Sequence, residues 1–324
     1  MRFGIISTAG IARSALIPAI GRTDHSVDAI ASRDESRARA VADEFGIERA
    51  YGSYEQLLAD PDIDAVYNPL PNGLHAEWTE RAADAGVDVL CEKPLAADAA
   101  AAESVAAHCR DAGVTLMEGF MYRYHPRTER VAELVATELE GVHAVNASFK
   151  FRLDDPDDVR LDPDLAGGAL MDVGCYAVSA ARLFLGEPDR VYAHSRDSRG
   201  AGVDTDLMGL LEYDDGAMAH VDGSFDAPET QRYRVEAENG WVAADPAFNV
   251  PADEPATLTY EIDGREGHER FAPTDQYARQ VEAFADCVDR GVEPRTGGDE
   301  AVANMRVIDA LYESAARDSP VVVG

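Results

Sequence analysis

The chain has 324 residues, long enough for two domains that each bury a core of their own. Its 61 acidic against 29 basic residues give a formal net charge of -32, a field that repels nucleic-acid phosphate and anionic membrane surfaces and so argues against both as partners. With 46% hydrophobic residues the chain is no disordered acidic tail, and with Lys93 and Lys150 its only lysines the balance is that of a halophilic surface.

Up to about residue 120, short apolar runs at Phe3 to Ser7, Val27 to Ser32, Ala65 to Asn68, Val87 to Cys91 and Thr115 to Phe120 predict strands. Amphipathic stretches near Ile11 to Ile20, Ser36 to Phe45, Glu55 to Leu58, His75 to Ala85 and Ala99 to Ala112 predict helices between them, the third opened by a Ser53/Gln56 capping box. That alternation is the rhythm of a parallel sheet wound with helices. After a helical stretch near Thr128 to Leu139 the runs lengthen and alternate: Val142 to Phe151, Arg190 to His194, Leu207 to Tyr213, Met218 to Phe225 and Arg232 to Glu238. With Asp-Asp-Gly and Asn-Gly turns among them, they predict a mostly antiparallel sheet. One apolar helix, Met171 to Leu185, interrupts it, and two more close the chain near Gln276 to Asp289 and Glu300 to Arg317. The fold expected is α/β in two domains: residues 1-122 with a parallel sheet, and residues 123-324, an α+β domain with a mostly antiparallel sheet.

Cys91, Cys109, Cys175 and Cys287 lie far apart with no C-x-x-C spacing, as in a reducing cytoplasm, and no metal site is expected. No charged-then-apolar leader and no uninterrupted apolar run of membrane length is visible, so a soluble, unprocessed, cytoplasmic protein is expected.

The first strand runs into Gly4-Ile-Ile-Ser7-Thr8-Ala-Gly10-Ile11-Ala, a glycine fingerprint that departs from G-x-G-x-x-G at Ser7. A dinucleotide pyrophosphate needs such a strand-to-helix turn, with backbone N-H groups at a helix start facing the phosphates and Gly10 allowing close approach. The second strand ends in Ala31-Ser32-Arg33-Asp34, where the ribose is read. Ser32 followed by Arg33, with Arg37 a helical turn on, suits a 2'-phosphate, so NADP is expected, with NAD possible. Val87 to Cys91 ends in Glu92-Lys93-Pro94 at the carboxyl edge of the sheet, where ligands of doubly wound folds bind.

Glu92-Lys93-Pro94 makes the chain resemble the glucose-fructose oxidoreductase, inositol dehydrogenase and MocA family along its whole length. Supporting pieces are Pro71-Asn72-Gly-Leu-His75, Met117-Glu118-Gly-Phe120-Met121-Tyr-Arg123-Tyr-His125-Pro126 and Gly167-Gly168-Ala-Leu-Met-Asp172-Val-Gly174-Cys-Tyr176. The resemblance implies a Rossmann domain, a Lys93 that contacts nicotinamide ribose and the reacting hydroxyl, and an acid or base in the Asp172 to Tyr176 segment. Tyr at position 176 is similar to the branch of glucose-fructose oxidoreductase, dihydrodiol dehydrogenase and NADP-dependent xylose dehydrogenase, which implies aldose oxidation at C1.

Residues 172 and 176 are four apart and share a helix face. A phenol titrates near about pH 10, and an ammonium such as that of Lys93 beside Tyr176 lowers that value toward a usable base. The expected catalytic set is Lys93, Tyr176 and Asp172; the expected cofactor contacts are Gly4, Ser7, Thr8, Gly10, Ile11, Ser32, Arg33, Arg37, Pro71, Asn72, His75, Glu92, Lys93 and Arg123. Phe149, Phe151, Arg152 and Tyr277 are expected to line the sugar pocket, and the second domain's sheet to build a homodimer or homotetramer. Two other readings stand: a reductase of a dicarbonyl or anhydro-sugar, and a nucleotide-sensing regulator without turnover, which the full Lys93, Asp172 and Tyr176 set disfavours.

Overall fold

The apolar runs of the first 120 residues assemble one six-stranded sheet: β1 (Arg2–Ile6), β2 (Ser26–Ala31), β3 (Arg49–Tyr51), β4 (Ala65–Asn68), β5 (Asp88–Cys91) and β6 (Leu116–Glu118). All are parallel, in the order β3-β2-β1-β4-β5-β6. Phe3, Ile5, Ile6, Val66, Val89 and Leu90 are fully buried, because helices cover both faces of a parallel sheet. β3 escaped the sequence reading: Arg49-Ala50-Tyr51 is a half-buried edge strand with no apolar run. Capping residues set the helix boundaries. Asp34 accepts from Ser36 N at the start of Glu35–Phe45, which ends at left-handed Gly46, and Asp98 and Gly113 do the same for Ala99–Ala112. Ser53 caps Gln56 N, but the Gln56 side chain returns to Gly52 N, one residue earlier than a capping box places it.

The structure is a computed structural model that describes residues 1–324. It divides into Met1–Met121 with Asp275–Val302, and Tyr122–Thr274 with Ala303–Gly324. Residues 275–302, assigned by sequence to the second domain, therefore belong to the first. Phe284 on the helix Gln276–Arg290 packs its ring 6.1 Å from Phe3, and Thr296 O accepts from Glu118 N at 2.7 Å, so the returning segment occupies the β6 edge. An exposed parallel edge needs such cover, which is the physical reason for the return.

In the second unit, nine strands form one sheet: β7 (Ala144–Arg152), β8 (Arg190–Arg196), β9 (Asp206–Glu212), β10 (Met218–Ser224), β11 (Asp226–Ala237), β12 (Gly240–Ala244), β13 (Ala256–Ile262), β14 (Arg265–Phe271) and β15 (Val321–Val322). Their order is β14-β13-β12-β11-β7-β10-β9-β8-β15, with only the β7–β10 pair parallel. β12 to β14 went unpredicted, although Asp263-Gly264, both at positive φ, is the two-residue hairpin signal that joins β13 to β14. One face of the sheet packs on the helix Cys175–Leu185; the other leaves Met208, Leu210 and Met218 half-exposed. Pro163–Leu185 has the length and composition to cross a membrane, but Asp164, Asp172 and Arg182 interrupt it, as the sequence reading expects, and most of its apolar part is buried inside the protein as core.

Candidate active site

The sheet order reverses between β1 and β4, so the turns after those strands form the crevice where doubly wound folds bind ligands. Ser7, the first residue after β1, has φ 113, a conformation that glycine adopts freely and serine does not. The departure from the glycine fingerprint thus falls on a position that still needs glycine-like backbone. Gly4 does other work. It lies inside β1, and a Cβ there would stand 2.8 Å from Leu57 Cδ2 and 3.3 Å from Ile63 Cγ2, so its missing side chain serves strand-on-helix packing and not a ligand. A Cβ on Gly10 would meet nothing within 4 Å. Thr8 and Ile11 are half-buried beside it, and the chain continues as a π-helical turn, Ala12–Leu16, a distortion frequent at functional sites.

Ser32 is 7% exposed and its Oγ accepts from Asp34 N at 3.3 Å, so the residue at the ribose-reading position is a hydroxyl. The Asp34 carboxylate is held below its ordinary range by hydrogen bonds from the Ser36 side chain and backbone, and is engaged as a helix cap. Arg33 and Arg37 are exposed.

Pro71 and Asn72 follow β4, and Glu92 and Lys93 follow β5, on neighbouring strands of the sheet. Tyr67 donates to Glu92 Oε1 at 2.6 Å, which steers the carboxylate beside Lys93. The His75 ring is 1% exposed and sits between two main-chain carbonyls, Nδ1 2.7 Å from Pro94 O and Nε2 2.6 Å from Leu70 O. Burial presses this imidazole down to about 4, against the pull of the two carbonyls. A neutral ring carries one N-H for the two acceptors. Cofactor contact by the His75 ring, expected from sequence, is therefore corrected: both nitrogens face the protein's own backbone. Asn68 Nδ2, donating to His75 O, ties the start of the helix His75–Asp84 to the end of β4. Glu118, also 1% exposed, accepts from Leu95 N at 2.8 Å. Tyr277, expected in the sugar pocket, belongs to the first unit, where burial and then the Glu92 charge raise its phenol.

The second unit holds Asp172 and Tyr176. Asp172 lies in a π-helical turn, Leu170–Gly174, that opens the helix Cys175–Leu185. Its carboxylate accepts from Arg160 Nε at 2.8 Å, a partner the sequence did not reveal, and its charge raises that guanidinium. Tyr176 is 5% exposed, its ring 5.3 Å from Phe149, 5.5 Å from Phe248 and 5.9 Å from Tyr122. Phe248 also stacks on Phe149 at 5.5 Å. It follows Pro246, and nothing in its sequence neighbourhood marked it as part of this cluster. Of the other predicted residues, Phe151 packs instead on Phe225, Arg152 is exposed at the end of β7, and Arg123 reaches Ser179 Oγ at 3.5 Å. No group of three or more His, Cys, Asp or Glu side chains is placed to hold a metal.

A sheet wound in this order, with an open strand-to-helix turn at its reversal and a lysine at the neighbouring carboxyl edge, defines the dinucleotide-binding class of α/β protein. Residues 1–120 match the oxidoreductase family with an NAD-binding Rossmann fold, GFO/IDH/MocA, and residues 129–243 match the C-terminal domain of that family. The chain belongs to the GFO/IDH/MocA oxidoreductases. It is 62% identical over 316 residues to D-xylose 1-dehydrogenase (NADP(+)) 2 of Haloferax volcanii, covering 97% of both chains. A crystal structure of a 3-ketoreductase from Actinomadura kijaniata with NADP and TDP-benzene superposes with a TM-score of 0.91 at 34% identity over 97% of each chain. The aldose-aldose oxidoreductase of Caulobacter crescentus, complexed with glycerol, gives a TM-score of 0.92 at 31% identity over 99% of each.

Proposed function

We propose that this oxidoreductase is an NADP-dependent dehydrogenase that oxidises an aldose at C1, with D-xylose the leading substrate. The observation that carries the reading is the 62% identity, spread over 97% of both chains, to a D-xylose 1-dehydrogenase that uses NADP(+). The residues present fit the cofactor: Ser7, Thr8, Gly10 and Ile11 line an open turn for the pyrophosphate, and Ser32 with exposed Arg33 and Arg37 suits a 2'-phosphate. Bound NADP supplies the hydride acceptor. Pro71, Asn72, Glu92 and Arg123 are further proposed cofactor contacts. Lys93 binds the nicotinamide ribose and the sugar hydroxyl. Tyr176, as its phenolate, would take the hydroxyl proton and become the phenol, packed against Phe149 and Phe248, and Asp172, paired with Arg160, would orient that segment. Phe151, Arg152 and Tyr277 are further proposed sugar contacts.

Likeness to a 3-ketoreductase favours carbonyl reduction by the same residues as a second reading. The net charge of -32 supports a cytoplasm of high salt as the setting, and half-exposed Met208, Leu210 and Met218 support a homodimer or homotetramer through the nine-stranded sheet. The test is a panel of aldoses, ketoses and diols with NADP in molar KCl, followed by the absorbance of the reduced cofactor. D-xylose turning over fastest is the expected result; nucleotide binding with no turnover across the panel would leave a sensor instead.

A further inference from the structure

Lys93 is followed by a peptide unit, Pro94 to Leu95, that is gripped at both ends by buried side chains. Its carbonyl faces His75 Nδ1 at 2.7 Å, and its N-H donates to Glu118 Oε1 at 2.8 Å. The two side chains come from different neighbours of β5: His75 opens the helix after β4, and Glu118 ends β6. Each is 1% exposed, so water cannot replace either contact. On the other side of Lys93, Glu92 N donates to Asn68 O at 3.0 Å as the ladder closes. Lysine reaches its target through a flexible four-carbon stem, so the precision of its ammonium depends on where the backbone holds the Cα.

We propose that His75 and Glu118 are positioning residues that clamp the Pro94–Leu95 peptide and thereby aim Lys93, with the His75 proton on Nδ1 and donated to Pro94 O. Neither touches substrate or cofactor; both act through the backbone. The inference rests on the role given to Lys93 above. It differs from the cofactor contact expected of His75, because it makes the residue's effect run through one named carbonyl.

Asparagine and glutamine separate the two ring positions. In H75N the side-chain amide nitrogen falls near the place of Nδ1 and keeps a donor for Pro94 O; H75Q keeps one near Nε2, for Leu70 O. A structural role alone penalises both substitutions alike. A Lys93 misplaced by about 1 Å costs about 10²-fold in turnover, so H75Q is expected to lose about 10- to 100-fold in kcat with the sugar KM little changed, and H75N to lose less than about 3-fold. A second readout needs no substrate. Lys93 and Lys150 are the only lysines, so reductive 13C-methylation yields two lysine signals, assigned with Lys93→Arg. The Lys93 signal should shift its frequency and titration midpoint in H75Q and stay in place in H75N. Should these variants fail to fold, Glu118→Gln, which keeps the acceptor, and Glu118→Ala, which removes it, make the same comparison at the other end of the peptide. Equal loss in both members of a pair, or greater loss in H75N than in H75Q, overturns the proposal. If the wild type oxidises no aldose, the dehydrogenase reading fails while the lysine signals still decide the clamp.

Discussion

His125 is the cleanest place to couple pH to stability. It caps the helix Pro126–Thr137: its Nδ1 accepts from Arg127 N at 3.0 Å, so the ring must be neutral to do so. The ring is fully buried, and burial, helped by the nearby Arg127 charge, presses it down to about 4. The sign follows from proton uptake. The unfolded chain binds a proton near about 6.5 and the native chain does not until about 4, so stability is complete above the upper value and is lost as pH falls through this window. Between pH 8 and 5 that difference is worth about 2 kcal/mol. His75, also pressed to about 4, adds a loss of the same sign in the wild type. Substituting His125→Asn keeps a good N-cap acceptor without a titrating group. The smaller residue lowers stability at every pH, but the drop between pH 8 and 5 should shrink by about 2 kcal/mol, measured by equilibrium unfolding at constant molar KCl. Selective 13C-histidine labelling supplies a direct check, since the resonance missing in H125N should titrate below about 5. An unchanged pH slope, or a midpoint above about 6, refutes the reasoning.

Tyr176→Phe and Lys93→Met should each cut kcat by about 10²- to 10⁴-fold while NADP still binds; a Tyr176→Phe enzyme with more than about half the wild-type kcat, chemistry limiting, contradicts the role. NADP should be preferred over NAD by at least about tenfold in kcat/KM, since charge-assisted bonds to the 2'-phosphate contribute about 1.5 to 3 kcal/mol each before screening. Arg33→Ala and Ser32→Asp should erode that ratio, and an unchanged ratio in Arg33→Ala assigns the phosphate to another residue. Raising KCl shortens the Debye length from about 8 Å at 0.15 M to about 3 Å at 1 M and screens the self-repulsion of 61 acidic residues, so Tm should rise with salt. A flat or falling Tm removes the halophilic reading.

Much of the fold was visible in periodicity because burial on both faces of a parallel sheet writes itself as apolar runs. Ala65–Asn68 and Ala99–Ala112 fall where the pattern placed them, the second bounded by Asp98 and Gly113. What escaped has no such imprint. β3 is a half-buried edge of three residues, and β14, Arg265–Phe271, alternates charge with little apolar content because most of its side chains face water. The return of 275–302 to the first unit is a long-range choice, made by Phe284 against Phe3 and by Thr296 against Glu118. Local sequence carries no record of either partner.

Motif residues raise a sharper difficulty, because one motif holds groups that meet a ligand and groups that build the frame around it. Ser7, Gly4 and His75 all lie in segments that point to the cofactor. Only the backbone angle of Ser7 marks a strained turn at the sheet's reversal; Gly4 makes room for Leu57, and both ring nitrogens of His75 face main-chain carbonyls. The frame can be as demanding as the site it supports. A Cβ against Leu57 or a ring without a donor for Pro94 disturbs the structure as surely as a lost ligand contact, so chemistry at a motif position is assigned by counting which polar atoms the protein has already used. At Asp172 that count finds Arg160, 12 residues earlier on a 3-10 turn, already on the carboxylate. That ion pair supports the proposed role of Asp172 in orienting the helix that carries Tyr176.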